Sequence, residues 1–183
     1  MHVQTILNRV NGKSGWGTFK RGCEILRIMG TLLFHPGTFY EGLSMDIRIG
    51  APLGFLLSSS VFFGVLATMF IPQKRWLFGM ILSLNAITMP PIMALILFLV
   101  ALVGCKNVFT YKVLFGITAY SNVTLILAWI PGLSWAAGLW RFYLIGLGMV
   151  KFGRISALNA FITVALTAAV LLLFIYFMQP FNL

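Results

Sequence analysis

Five apolar runs, each long enough to cross a bilayer, leave this 183-residue chain few ways to fold. They cover about 50–71, 77–103, 111–130, 133–150 and 155–178. A hydrocarbon core about 30 Å thick needs roughly 20 apolar residues at 1.5 Å each. Every amide inside lipid needs a partner within the protein, which makes helix the form such runs take. Pro72 closes the first run, Pro90-Pro91 interrupts the second, Pro131-Gly132 closes the third and Pro180 follows the fifth. The expected fold is an all-α, polytopic membrane bundle of five transmembrane helices. Composition agrees, with 60% of residues hydrophobic, 9% charged and a mean hydropathy of +0.99. A soluble domain is typically about 25% charged.

Two short amphipathic helices are expected ahead of the spans. Residues 1–18 are polar and Gly-rich, and read as a flexible N-terminal segment. Over 19–34, Phe19, Cys23, Leu26, Met29 and Leu33 recur at steps of three or four, with Lys20, Arg21, Glu24 and Arg27 opposite. Two placements remain open for this helix: flat on anionic headgroups, or packed under the bundle. His35-Pro36-Gly37 breaks it. Thr38 to Glu41 has capping-box spacing, so a second helix is expected from Phe39 to about Asp46. The domains are then 1–18, an interfacial stretch 19–48 and a transmembrane domain 49–183. Residues 1–48 contain no continuous apolar stretch followed by a small-residue cleavage site, so no cleavable signal is expected.

The net charge of +10 gives the orientation. Arg9, Lys13, Lys20, Arg21, Arg27 and Arg48 precede the first span; Lys106, Lys112, Lys151 and Arg154 flank later spans on the same side. The other side has Lys74 and Arg75 alone. The rich side should be cytoplasmic, with the N-terminus inside and the C-terminus outside. Trp76, Trp129 and Trp135 then lie at outer interfaces. The cations edge apolar runs rather than forming a basic face, which suits anionic lipid headgroups and argues against nucleic acid. Cys23 and Cys105 should both face a reducing cytoplasm, unpaired.

Few residues offer chemistry. Arg141 lies nine residues past Gly132, about 13 Å into the fourth span. A charge there costs at least about 2.5–3.5 kcal/mol unless paired or solvated. It either lines a polar site or binds an anionic group, or else bonds backbone carbonyls or snorkels. Asn85, Tyr120, Ser121, Asn122 and Asn159 are its candidate neutral partners. Pro90-Pro91, with Ser83, Asn85 and Thr88 before it, is either a broken-helix ligand site or a structural kink. Gly146, Gly148, Ala157, Ala160, Ala165, Ala168 and Ala169 would permit close helix approach. His2 and His35 make neither a metal set nor a catalytic triad, and no phosphate-binding or dinucleotide fingerprint is present. No enzyme activity, cofactor or metal is expected.

The layout resembles the Yip1 domain family over about residues 33–178. The resemblance is carried by Phe34-His35-Pro36-Gly37-Thr38-Phe39, Tyr111-Lys112, Ala119-Tyr120-Ser121, Ile130-Pro131, Leu139-Trp140, Gly146 to Gly148, and Ser156-Ala157 with Ala160. It departs where Asn122-Val123-Thr124 lacks a proline and where Arg141 replaces a neutral residue. The resemblance implies five spans with a cytoplasmic N-terminus. It also implies, for eukaryotic relatives, membrane traffic and contact with Rab-type GTPases. The short N-terminal segment looks bacterial, so a bacterial inner membrane is expected, with a Golgi or ER membrane as the alternative. The leading functional expectation is a non-enzymatic membrane scaffold or adaptor that binds lipids or protein partners, in homo-oligomers or alone. The alternative is a small oligomeric transporter or channel, with its polar site near Arg141 and the Pro90-Pro91 break.

Overall fold

His35 separates two helical segments, with φ −137° and ψ 58°. The computed structural model describes residues 27–43, 49–69, 75–104, 108–128 and 132–178, and every regular element among them is helical. We label the helices α1 (27–34), α2 (Pro36–Glu41), α3 (Gly50–Met69), α4 (Arg75–Gly104) and α5 (Tyr111–Ser121). A 3-10 turn, η1 (Asn122–Thr124), leads into α6 (Leu125–Ala128). Then come α7 (Ser134–Gly153) and α8 (Ala157–Met178).

α2 begins earlier than its sequence predicts. Pro36 occupies the first turn, where a missing N–H costs no bond and its fixed φ favours a helical start. Thr38 therefore lies inside the helix, and its hydroxyl donates to the carbonyl of His35 at 2.9 Å. The expected capping box does not form. Glu41 instead accepts a 2.6 Å bond from Nζ of Lys151 on α7. Residues 44–48, where this helix was expected to end, lie outside the described residues, as do 1–26 with Lys20, Arg21 and Cys23, and Cys105.

Among the described residues, three helices are long and apolar enough to cross a membrane: Gly50–Met69, Trp76–Gly104 and Tyr111–Ala128. They suggest a multi-pass membrane protein. The fourth expected run is a single helix, α7, but it carries Arg141 and Lys151. The apolar stretch Ala157–Leu173 of α8 is shorter. The surface supports an apolar surrounding: Leu57 and Val61 of α3, Leu84 and Leu99 of α4, and Leu158 and Phe161 of α8 are all exposed.

α4 runs unbroken through Pro90 and Pro91, which corrects the expected interruption. Two amide donors are lost, leaving the carbonyls of Ala86 and Ile87 without their usual partners. In an apolar surrounding, unwinding would expose still more backbone polar groups, so the helix persists. α4 packs on α3, α5 and α8. Against α3 the backbones nearly touch. A Cβ on Gly64 would collide with Ser83 and meet the Gly79 carbonyl at 2.9 Å, and one on Gly79 would collide with Thr68.

α7 packs on α2, α5, η1, α6 and α8. Gly132, at φ +88°, starts the turn into it, and Arg154, at φ +50°, ends it. Ser156 Oγ then accepts the Asn159 amide at 3.3 Å, capping α8. The core joins these helices to the N-terminal ones: Ile28, Met29, Leu32, Phe39 and Tyr40 share one cluster with Leu97, Leu114, Ile117, Leu144, Ile145 and Met149. Ile28, Met29 and Leu32 of α1 are thus packed into the bundle, while residues 19–26 of the expected helix lie outside the described residues. Of the expected small-residue contacts, Gly148 and Ala160 are buried. Gly146 has open space above it, and Ala157, Ala165 and Ala169 are exposed.

Candidate functional site: a buried polar seam between α3, α5 and α7

Three consecutive serines stand in the apolar run of α3, and two of them, Ser59 and Ser60, are fully buried. Thr118, Ser121, Asn122 and Thr124 of α5 and η1, which pack on α3, are also buried. Polar groups taken out of water must find partners or cost about 1–3 kcal/mol each. Most of these hydroxyls bond to their own helix. Ser59 donates to the Leu56 carbonyl (3.1 Å), Thr118 to those of Leu114 and Phe115 (both 3.0 Å), Ser121 to Thr118 (2.8 Å) and Thr124 to Ser121 (3.0 Å). One bond crosses the seam: Asn122 Nδ2 donates to Ser60 Oγ at 3.3 Å.

Tyr120 lies one turn below. Its ring meets Phe39 of α2 edge-on at 5.1 Å and Phe55 of α3 at 5.3 Å. Tyr40 packs its ring over Gly148, where an added Cβ would come within 3.2 Å of two ring carbons and 2.8 Å of Ile117. Burial, and then the neighbouring Tyr120, push the Tyr40 phenol above its ordinary ionisation range, so it stays protonated.

Arg141 projects from the buried stripe of α7 that includes Ala137, Leu144, Ile145 and Gly148. Its Nε and Nη2 are buried and have no hydrogen-bond partner among the described residues. The same is true of Asn122 Oδ1 and the Tyr40 hydroxyl. Arg141 thus carries two unpaired donors on one guanidinium edge, and η1 carries an unpaired acceptor in Asn122 Oδ1.

The structure thus gathers some expected site residues and separates others. Tyr120, Ser121 and Asn122 are buried together at the junction of α5 and η1, against the helix that bears Arg141. Asn85 is exposed on α4, so it is not a partner of Arg141, and Asn159 is exposed at the start of α8. Pro90 is buried within α4, and Tyr111 of α5 donates to the Pro91 carbonyl at 3.4 Å. Ser83 meets Gly64, and Thr88 bonds back to Leu84 at 2.7 Å, so no polar cluster forms at the prolines. Arg27 is exposed. Ser60 and Tyr40 were missed; the serine triplet 58–60 inside an apolar run was the available signal for the first. Among the described residues, no group of His, Cys, Asp and Glu suits a metal ion.

No family model matches the chain, and neither a curated protein nor a solved structure matches it.

Proposed function

We propose that this chain is a five-span membrane scaffold or adaptor of the Yip1-like type, without enzymatic activity, that binds lipids or protein partners. In this reading α3, α4, α5 to α6, α7 and α8 all cross the membrane, with the N-terminus in the cytoplasm of a bacterial cell. The observation that carries it is the docking of α2 into the bundle. Phe39 and Tyr40 are buried among α5 and α7, and Glu41 is paired with Lys151, so residues 36–41 are held at one end of the bundle. That end is the cation-rich one, which faces anionic lipid under the positive-inside rule. The exposed apolar flanks of α3, α4 and α8 leave area for lipid or for a partner's helices.

Alkaline extraction of membranes and protease protection of N- and C-terminal tags test the topology. The protein should stay in the pellet, with the N-terminal tag on the cytoplasmic side and the C-terminal tag outside. Both tags on one side would refute the five-span reading. For the role, cross-linking in native membranes should capture a defined partner, and reconstituted liposomes should pass no solute.

A second reading, a small oligomeric transporter or channel, draws on the unpaired guanidinium edge of Arg141. It loses its other motive, because α4 is continuous at Pro90-Pro91. Solute flux that disappears in Arg141→Ala would decide in its favour.

A further inference from the structure

Polar side chains on the outer faces of α3 and α4 differ in how they are satisfied. Ser58 of α3 donates to the Gly54 carbonyl at 2.8 Å, and Thr88 of α4 to that of Leu84 at 2.7 Å. Asn85 of α4 has no such outlet. It is exposed, and its amide has no hydrogen-bond partner among the described residues. Asn85 lies nine residues past Trp76, about 13 Å at helical rise, which is near the middle of a hydrocarbon core about 30 Å thick. A primary amide has two N–H donors and an acceptor oxygen, and lipid tails satisfy none of them. At that depth its partner has to come from another helix.

The surface around Asn85 has the spacing of a helix contact. Ile81, Asn85, Thr88, Ile92, Leu95 and Leu99 follow alternating steps of four and three, and all of them are exposed. Phe78 and Leu102 continue the same steps at the two ends and are exposed as well. Contact with lipid imposes no period, whereas contact with a second helix wound around α4 imposes this one. The prolines do not interrupt it: α4 is continuous, Pro90 is buried, Pro91 is half-buried, and neither lies on the stripe. In heptad terms Phe78, Asn85, Ile92 and Leu99 take the a positions, and a single Asn at an a position fixes the register and the number of helices that pair.

The amide also selects the occupant, because it is complementary to itself. Two copies inserted in the same orientation bring their α4 helices together in parallel, about a two-fold axis along the membrane normal, and set Asn85 opposite Asn85. We propose that the exposed stripe of α4 is the interface of a parallel homodimer, held in register by the two Asn85 side chains, Nδ2 of one donating to Oδ1 of the other. This rests on α4 crossing the membrane, and on neither the count of five spans nor the scaffold role.

The test uses the full chain, with Cys23→Ser and Cys105→Ser so that single cysteines can be placed. Alkaline extraction comes first. Release of the protein overturns the membrane reading and this interface with it; an integrated protein that fails the later steps loses the interface alone. Oxidation of membranes should link Ile81→Cys and Ile92→Cys into dimers. Met80→Cys, more exposed than either but off the stripe, should stay unlinked. Energy transfer between labelled copies in phosphatidylcholine liposomes then follows dimerisation as the protein is diluted in lipid. Asn85→Leu should weaken it about tenfold, with an unchanged far-UV helix signal because the side chain is exposed. Asn85→Gln keeps an amide and should retain most of the affinity. A monomer at every dilution overturns the homodimer, and so does linking of Ile92→Cys to a different protein alone. Equal linking through Met80→Cys, or undiminished association of Asn85→Leu, overturns the interface.

Discussion

Gly148 and Gly146 sit two residues apart on α7 and should respond oppositely to the same change. A methyl on Gly148 would press on Ile117 at 2.8 Å and on the Tyr40 ring at 3.2 Å, whereas one on Gly146 meets nothing within 4 Å. Gly148→Ala should lower stability by about 1–3 kcal/mol. Gly146→Ala should be neutral, or stabilising by up to about 1 kcal/mol through helix propensity. Thermal unfolding of the two purified variants checks the pair. Tyr40→Phe removes a buried hydroxyl that has no partner among the described residues, and should leave stability unchanged or raise it by up to about 1 kcal/mol. A clear loss in the same assay would mean that the hydroxyl is bonded. At this scale the sequence was informative about Arg141 and not about its surroundings. A lone charge in an apolar run is visible to anyone counting charges. Which atoms of it go unpaired depends on helix register, and Tyr40 reaches the seam through packing between residues more than 100 apart.

Among the elements, sequence periodicity located α3, α4, α7 and α8 to within a few residues, because apolar runs closed by Pro or Gly have little freedom at their ends. It failed where a local rule met a competing constraint. The Thr38–Glu41 spacing suggested a cap, but Pro36 started the helix first and Glu41 found Lys151. Pro90-Pro91 left a break or a kink open, and the break does not occur, because an apolar surrounding penalises unwinding more than it penalises two missing bonds. Pro91→Ala returns a donor to the Ile87 carbonyl. It should keep stability within about 1 kcal/mol of the parent or raise it, with an unchanged far-UV helix signal. A large loss on unfolding would show that the proline shapes the helix. The Glu41–Lys151 bridge joins side chains that keep 54% and 39% of their exposure, so solvent screens it. Lys151→Glu should cost under about 1 kcal/mol, and the double exchange Glu41→Lys with Lys151→Glu should recover most of it.

For the whole molecule, composition and run length sufficed for a helical fold, among the described residues, with helices long and apolar enough to cross a membrane, because a chain this apolar has few other solutions. They did not reveal that α1 and α2 belong to the core, since a short helix with an apolar face reads the same on a lipid surface as under a bundle. That docking has a consequence for how the protein is made. Tyr40 and Glu41 leave the ribosome more than 100 residues before their partners on α7, so α2 is among the last elements to find its place. Until α7 arrives, Tyr40 lacks Gly148 and Glu41 lacks Lys151, and that side of α2 must wait uncovered. Chains stalled after α6 should be cut readily by protease added at the N-terminal side near residues 36–41, and chains stalled well beyond α7 should resist. The shelter of residues 36–41 thereby reports that α7 is in place.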